Sequence, residues 1–228
     1  MIFVGDGALL WRAVRHAQDG GHPVDLVCHG PRTTPPAGFD PDRARRIRSG
    51  RELDELAGEL AQRCTDGLLW SIDNPFLLRE KMLASGLRLL NVHGGPLPSY
   101  RGLPPVTAAY AVLHGETSFA ATLHEIDDGI DTGPVLAQVE FPVEPDAVLE
   151  DVLTDLVEAA HRAFTENLGP VVDGTAGPAR RPGGEPGYYG LEQGIALAGM
   201  RAHPRYEQAT DLGMFSDYYP DAATAWGS

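Results

Sequence analysis

The 228-residue chain is predicted to fold as an α/β domain built on a doubly wound, mainly parallel sheet, with a short C-terminal extension. Three observations carry that expectation. Short apolar runs alternate with stretches of helical periodicity, the signature of strand–helix–strand units. One pair of runs, 119–126 and 135–141, is joined by a polar turn and reads as an antiparallel hairpin at the sheet's end. Hydrophobic residues make up 43% of a chain long enough to bury a sizeable core.

The elements follow in order. Residues 1–5 form an apolar strand that runs into Gly5-Asp6-Gly7 and then a helix pattern through Leu9, Leu10, Ala13 and Val14. Residues 24–28 are a second buried strand, and the Pro- and Thr-rich stretch 31–42 is loop. A helix starts near Ser49 with Leu53, Leu56, Ala57 and Leu60 on one face. Residues 67–70 are a third strand, followed by a loop and a helix at 77–84. Residues 87–92 form a fourth strand entering the loop HGGPLPSYRGLPP, and 107–114 is helical. The last strong element is a helix over 147–167, where Leu149, Val152, Leu153, Leu156, Val157, Ala160 and Phe164 make one apolar stripe behind an Asp146 cap. Beyond Gly169 the composition turns to Gly, Pro and Arg, so 1–168 is read as one domain and 169–228 as an extension without independence.

Composition excludes several classes. Eighteen Lys and Arg against 32 Asp and Glu give a net charge of −14, which opposes nucleic acid and anionic membranes as partners. No apolar run spans a bilayer, the start lacks a secretory pattern, and two cysteines suit a reducing cytoplasm.

Ligands of open α/β sheets gather at the carboxyl ends of strands, and three such ends carry unusual residues. Gly5-Asp6-Gly7 fails as a dinucleotide fingerprint because Leu10 stands where a third glycine is needed, and Asp6 would repel a phosphate. Asn91-Val92-His93 puts an amide and an imidazole on one side of an extended segment. His124 closes a strand, and Asp131 sits in a glycine-flanked turn where the chain returns to the core. An amide, an imidazole and a carboxylate are what acyl transfer to an amine requires: donors for the oxyanion and a group that takes the proton from nitrogen. The same His93, His124 and Asp131 would also serve as three ligands of a metal hydrolase, a weaker alternative because the neighbouring carboxylates add no ligand pattern. The site is therefore read without a metal.

The ordered set Asn91-x-His93, Leu97-Pro98-x-x-Arg101-Gly102, Gly115-Glu116, His124 and Asp131-Thr132-Gly133 resembles the formyltetrahydrofolate-dependent formyltransferase family, which acts on methionyl-tRNA, glycinamide ribonucleotide and sugar amines. The resemblance covers roughly residues 1–170 and implies a Rossmann-like sheet of the formyltransferase type. It implies an N-formyltransferase that takes its formyl group from 10-formyltetrahydrofolate, with a formyltetrahydrofolate hydrolase as the alternative. Asn91 would bond the formyl oxygen, His93 would stabilise the tetrahedral intermediate, Asp131 would orient His93 and position a water, and His124 would lie beneath Asp131. The pteridine would lie between the loop at Ile72, Phe76 and Leu77 and the backbone of Asp127, Asp128 and Gly129.

Departures from the family pattern bear on the acceptor. Gly95 replaces a frequent serine, which predicts a more open pocket lip, and Asp73 lacks an evident counter-charge. The phosphate loop of the ribonucleotide enzymes and the basic domain of the tRNA enzymes are both missing, which leaves a small-molecule, sugar-nucleotide or carrier-bound amine or hydroxylamine in specialised biosynthesis. The basic run through Arg43, Arg45, Arg46, Arg48 and Arg51 is a candidate phosphate contact, with Arg45 and Arg46 as the acceptor residues. The aromatic-rich end is read as core packing or a homodimer surface.

Overall fold

The structure, a computed structural model, describes residues 1–227, so Ser228 at the end of the predicted extension lies outside the described residues. Four apolar segments form the parallel centre of the sheet: β1 (Ile2–Gly5), β2 (Leu26–His29), β4 (Leu68–Ile72) and β5 (Arg88–His93). Their residues are buried on both faces almost throughout, which is why they read as continuous apolar runs. β3 (Ala44–Arg46) joins as an edge strand beside β2. Its sequence, Ala-Arg-Arg, carries no strand signal, and sequence reading missed it. The hairpin β7 (Ser118–Glu125) and β8 (Val135–Pro142) completes the sheet in the order β3-β2-β1-β4-β5-β7-β8, with β7 and β8 antiparallel.

Helices cover both faces. α1 (Ala8–Asp19), α5 (Pro104–His114) and α6 (Leu149–Val172) pack on one side, where Phe3, Trp70, Val92, Leu153 and Phe164 share a core. α2 (Gly50–Glu55), α3 (Ala57–Arg63) and α4 (Glu80–Leu83) cover the other around Val4, Leu53, Leu60, Leu69 and Met82. Ser49 caps α2 through its hydroxyl, which accepts the Glu52 N–H at 3.2 Å. α6 begins later than expected: Asp151, not Asp146, satisfies the free Val148 N–H at 3.0 Å. It also runs to Val172, so the division drawn after residue 168 falls inside a helix. No helix among the described residues is long and apolar enough to cross a membrane.

The C-terminal extension folds back onto the domain. β9 (Tyr188–Tyr189) pairs in parallel with β6 (Arg101–Gly102), which lies in the loop after β5. α7 (Leu191–Leu197), α8 (Tyr206–Thr210) and α9 (Pro220–Trp226) follow, and Trp226 donates its indole N–H to the Gly194 carbonyl at 2.8 Å. Leu197, Leu212 and Trp226 belong to the α6-side core.

Candidate active site

Asn91 and His93 stand at the carboxyl end of β5, and antiparallel pairing sets Asn91 directly opposite His124 of β7. A register shift in β7–β8 at Leu123/His124 marks a bulge, a device that re-aims a side chain. The Asn91 amide donates to His124 Nε2 at 3.1 Å, while His124 Nδ1 donates to the Glu125 carbonyl at 2.8 Å. Asp131 adopts left-handed backbone, φ 53, which only a tight turn requires of a non-glycine residue. Its carboxylate accepts the Gly102 N–H at 2.9 Å and lies 3.5 Å from His93 Nδ1 and 3.6 Å from His124 Nε2. Three stretches of chain far apart in sequence thus converge on one cluster.

The electrostatics of that cluster follow from its burial. Desolvation by itself would raise the Asp131 pKa, but His93, His124 and the Gly102 N–H hold it down at about 2. Desolvation lowers the His93 pKa against the pull of Asp131 and of the Tyr100 carbonyl. His93 Nε2 must donate to that carbonyl, at 2.6 Å, so in the neutral ring Nδ1 turns a lone pair toward Asp131. A proton arriving at Nδ1 converts that contact into an ion pair. The geometry makes His93 and Asp131 a proton-accepting pair.

Tyr100 was not foreseen as a site residue, yet it anchors this arrangement. Its hydroxyl donates to Glu116 at 2.8 Å and accepts from His114 at 2.9 Å, and its ring stacks on Tyr189 of the extension at 5.0 Å. Gly95 makes the Tyr100–His93 contact possible: an added Cβ would overlap the Tyr100 carbonyl oxygen and come within 3.0 Å of His93 Nε2. The expected open lip is therefore closed, because the Tyr100 backbone takes the space a serine would need.

A cavity of about 850 Å³ opens beside the cluster. Asn91, His124 and Asp131 border it, as do Phe76, Leu77, Asp127, Asp128 and Gly129. Ile72 does not. It is the last residue of β4, it is fully buried, and it packs into the α1–α6 core. His93 does not border the cavity either, with its side chain 4% exposed behind Asp131. The two histidines thus exchange the places expected of them: His124 faces the cavity and His93 lies deeper. Asn74 and Ser71 were missed. Asn74 shapes the cavity wall by accepting the Phe76 N–H at 2.9 Å and donating to Ser71 Oγ at 3.2 Å. Its Asn-Pro sequence is a turn signal that could have revealed it.

Arg45 and Arg46 lie on β3, four strand spacings or roughly 19 Å from β5. Arg45 is held by Glu59 at 2.8 Å, Arg43 faces Asp40 at 3.4 Å and Arg51 faces Glu55 at 3.2 Å. The basic run is therefore largely neutralised by its own neighbours, and Arg45 and Arg46 do not border the cavity. Among the described residues, the one group of His, Cys, Asp or Glu able to converge on a metal is Asp25, Cys64 and Asp66, away from this cluster; Asp25 and Asp66 contact the Met1 ammonium.

Residues 76–168 match the sequence model of the formyl transferase family. A methionyl-tRNA formyltransferase of Sorangium cellulosum is 39% identical over 89 residues, which are 39% of this chain and 28% of that protein. The chain thus matches well under half the length of such relatives. Among solved structures, a sugar N-formyltransferase from Shewanella superposes with a TM-score of 0.70 at 14% identity, covering 86% of this chain and 79% of that one. An N-formyltransferase from Helicobacter canadensis, in complex with folinic acid and dTDP-3-aminofucose, superposes with a TM-score of 0.65 at 20% identity, covering 84% and 71%. At these identities the structural likeness speaks to the fold, and the sequence likeness to the family is confined to one segment of the chain. The matched segment contains Asn91, His93, His124 and Asp131, and over that segment the chain is similar to the formyl transferase family.

Proposed function

We propose that this protein transfers a formyl group from 10-formyltetrahydrofolate to an amine. The observation that carries the reading is the convergence of Asn91, His124 and Asp131 at the wall of one cavity large enough for a folate head group, with His93 directly behind Asp131. Support for the donor comes from the Helicobacter relative bound to folinic acid, a formyl-folate. In this reading the pteridine lies between Phe76 and Leu77 on one side and residues 127–129 on the other, and the formyl group reaches Asn91.

The chain's own groups supply each step. The amine nitrogen attacks the formyl carbon, and the carbonyl electrons move onto oxygen. Asn91 carries a second amide N–H beyond the one given to His124, and that hydrogen bonds the oxyanion. Asp131, ionised and adjacent to the cavity, takes the proton released by the nitrogen, and His93 Nδ1 stabilises it behind. The carbon–nitrogen bond to the folate then breaks, and the same proton returns to the departing nitrogen. His93 acts here through Asp131, a change from direct contact with the intermediate.

Support for the acceptor is coarser. The relatives act on tRNA or sugar substrates by name, and an amine is the chemistry they share. A carrier-bound amine, cytoplasmic residence and a homodimer are expectations carried over from the sequence. The test is to supply 10-formyltetrahydrofolate with a panel of amines and follow release of tetrahydrofolate. Amine-dependent release, lost in Asp131→Asn while tetrahydrofolate still binds, is the expected result. Release that ignores the amine would instead point to the hydrolase.

A further inference from the structure

The short strand β6 is bonded along both of its edges. The Arg101 N–H donates to the Gly187 carbonyl at 3.1 Å, and the N–H of Leu103, which follows the strand, donates to the Tyr189 carbonyl at 2.9 Å. One edge is thus tied to the C-terminal extension. On the opposite edge the Tyr100 carbonyl accepts from His93 Nε2 at 2.6 Å, and the Gly102 N–H donates to Asp131 Oδ2 at 2.9 Å. The backbone groups of residues 100–103 therefore alternate between the extension and the proton-accepting pair.

The two edges move as one. The Tyr100 carbonyl and the Arg101 N–H belong to a single planar trans peptide unit, in which they point in opposite directions. Holding that N–H on Gly187 therefore fixes where the carbonyl meets His93. The Gly102 N–H lies between two anchored neighbours and is held in the same way. Two glycines permit the close approach. A Cβ on Gly102, whose φ is 117, would strike the Tyr189 carbonyl, and one on Gly187 would strike the Ser99 carbonyl.

The extension also reaches the turn that carries Asp131. Arg180 and Val135 exchange two backbone hydrogen bonds, at 2.7 and 2.8 Å, and the Arg181 guanidinium donates to the carbonyl of Thr132, the residue after Asp131, at 3.1 Å. A strap from Arg180 to Tyr189 thus ties the Asp131 turn to the strand that supplies its N–H partner. Tyr189 locks the second end of the strap. Its ring stacks on Tyr100 at 5.0 Å with an interplanar angle of 16° and packs against Tyr110 at 4.8 Å. Tyr100 is held in turn by Glu116 and His114 through its hydroxyl. The strap lies outside the segment that matches the family model, whereas β6 lies inside it. Neither Gly187 nor Tyr189 borders the donor cavity.

We propose that Tyr189 is a positioning residue for formyl transfer, acting through β6 to aim the Tyr100 carbonyl at His93 and the Gly102 N–H at Asp131. The proposal rests on the formyl-transfer reading and gives the extension a part in it. Both bonds bear on proton affinity. Burial lowers the His93 pKa, and Asp131 and the Tyr100 carbonyl raise it. Burial raises the Asp131 pKa, and His93, His124 and the Gly102 N–H bring it down. Once the strap is loosened, His93 is free to change tautomer and Asp131 loses a donor, while the donor cavity keeps its walls.

The experiment compares the full-length protein with Tyr189→Ala, Gly187→Ala and Tyr189→Phe. Kinetics use 10-formyltetrahydrofolate and an amine that the unaltered protein accepts. Histidine ¹⁵N NMR, with the His93 signals assigned by their loss in His93→Gln, reads the ring's tautomer without any need for turnover. The unaltered protein is expected to show one tautomer, protonated at Nε2. Tyr189→Ala and Gly187→Ala are expected to keep the circular dichroism spectrum and tetrahydrofolate binding. Their kcat should fall by on the order of 10²-fold at an unchanged donor KM, the scale of a small misplacement of reacting groups, and their His93 signals should average between tautomers. Tyr189→Phe, which keeps the ring, is expected to restore both kcat and the single tautomer. Folded alanine variants with unaltered kcat, or with His93 still in one tautomer, would overturn the proposal and leave formyl transfer standing. So would failure of both alanine variants to fold, which would make the contact core packing. Formylation of no amine by the unaltered protein would remove the parent reading, and this role with it.

Discussion

Asp131 and Asp73 share a residue type, a left-handed backbone and a partly buried position, yet their carboxyl groups titrate in opposite directions. Burial works against ionisation in both. Asp131 meets two imidazoles and a backbone N–H and is held at about 2. Asp73 meets one hydroxyl, a guanidinium at 3.9 Å and the like charge of Asp6, and is pushed up to about 6. Partner count, not depth, separates a carboxylate held in its ionised form from one pushed toward its neutral form.

The sharpest way to break this contrast is to neutralise the satisfied member. Asp131→Asn or His93→Ala should lower kcat by about 10³-fold, the scale of a lost proton-transfer group in a preorganised site. Steady-state kinetics with intact tetrahydrofolate binding and an unchanged circular dichroism spectrum would check this. Gly95→Ala comes next. Its methyl group must move the Tyr100 carbonyl away from His93, with a cost of about 1–3 kcal/mol from overpacking and a kcat loss near tenfold, read from denaturant unfolding and kinetics.

Stability against pH sharpens the same comparison. The Asp73 pKa is higher in the folded protein than the ordinary value near 4, so its contribution is present at low pH and is lost as pH rises through about 6. Asp131 behaves in the opposite sense. Its contribution is present above about pH 4 and disappears as pH falls toward about 2. Asp73→Asn should therefore raise stability at pH 8 by on the order of 2 kcal/mol and leave it unchanged near pH 4, as urea midpoints at the two pH values would show. The smallest effect is expected on the remote edge. Arg45→Ala with Arg46→Ala should cost at most about 1 kcal/mol, because the Arg45–Glu59 pair is solvent-exposed, and should leave acceptor kinetics unchanged.

Much of the frame was legible because it is local. Strands buried on both faces announce themselves as apolar runs, and Asn91-x-His93 shares a face by the two-residue period of any strand. The convergence of Asp131 with these residues was readable from the ordered motifs. What escaped depends on chain segments that meet only in the fold. Tyr218 reaches Asp73 across 145 positions, and the Tyr100 ring finds Tyr189 in a stretch that composition marks only as loop. The exchanged places of His93 and His124 follow from where the β7 bulge and the Tyr100 carbonyl fall, and neither leaves a mark in residue type. The basic run misled for a related reason: its counter-charges Asp40, Glu55 and Glu59 are interleaved in the same segment, and charge density alone does not reveal pairing.

The most direct measurement follows the formyl carbon itself. The protein is mixed with 10-formyltetrahydrofolate carrying a ¹³C formyl group and an excess of glycinamide, and the products are read by NMR. Formyl transfer predicts the label in an amide bond on the amine nitrogen, with none formed by Asp131→Asn. Label recovered as formate at the same rate with and without the amine would contradict it.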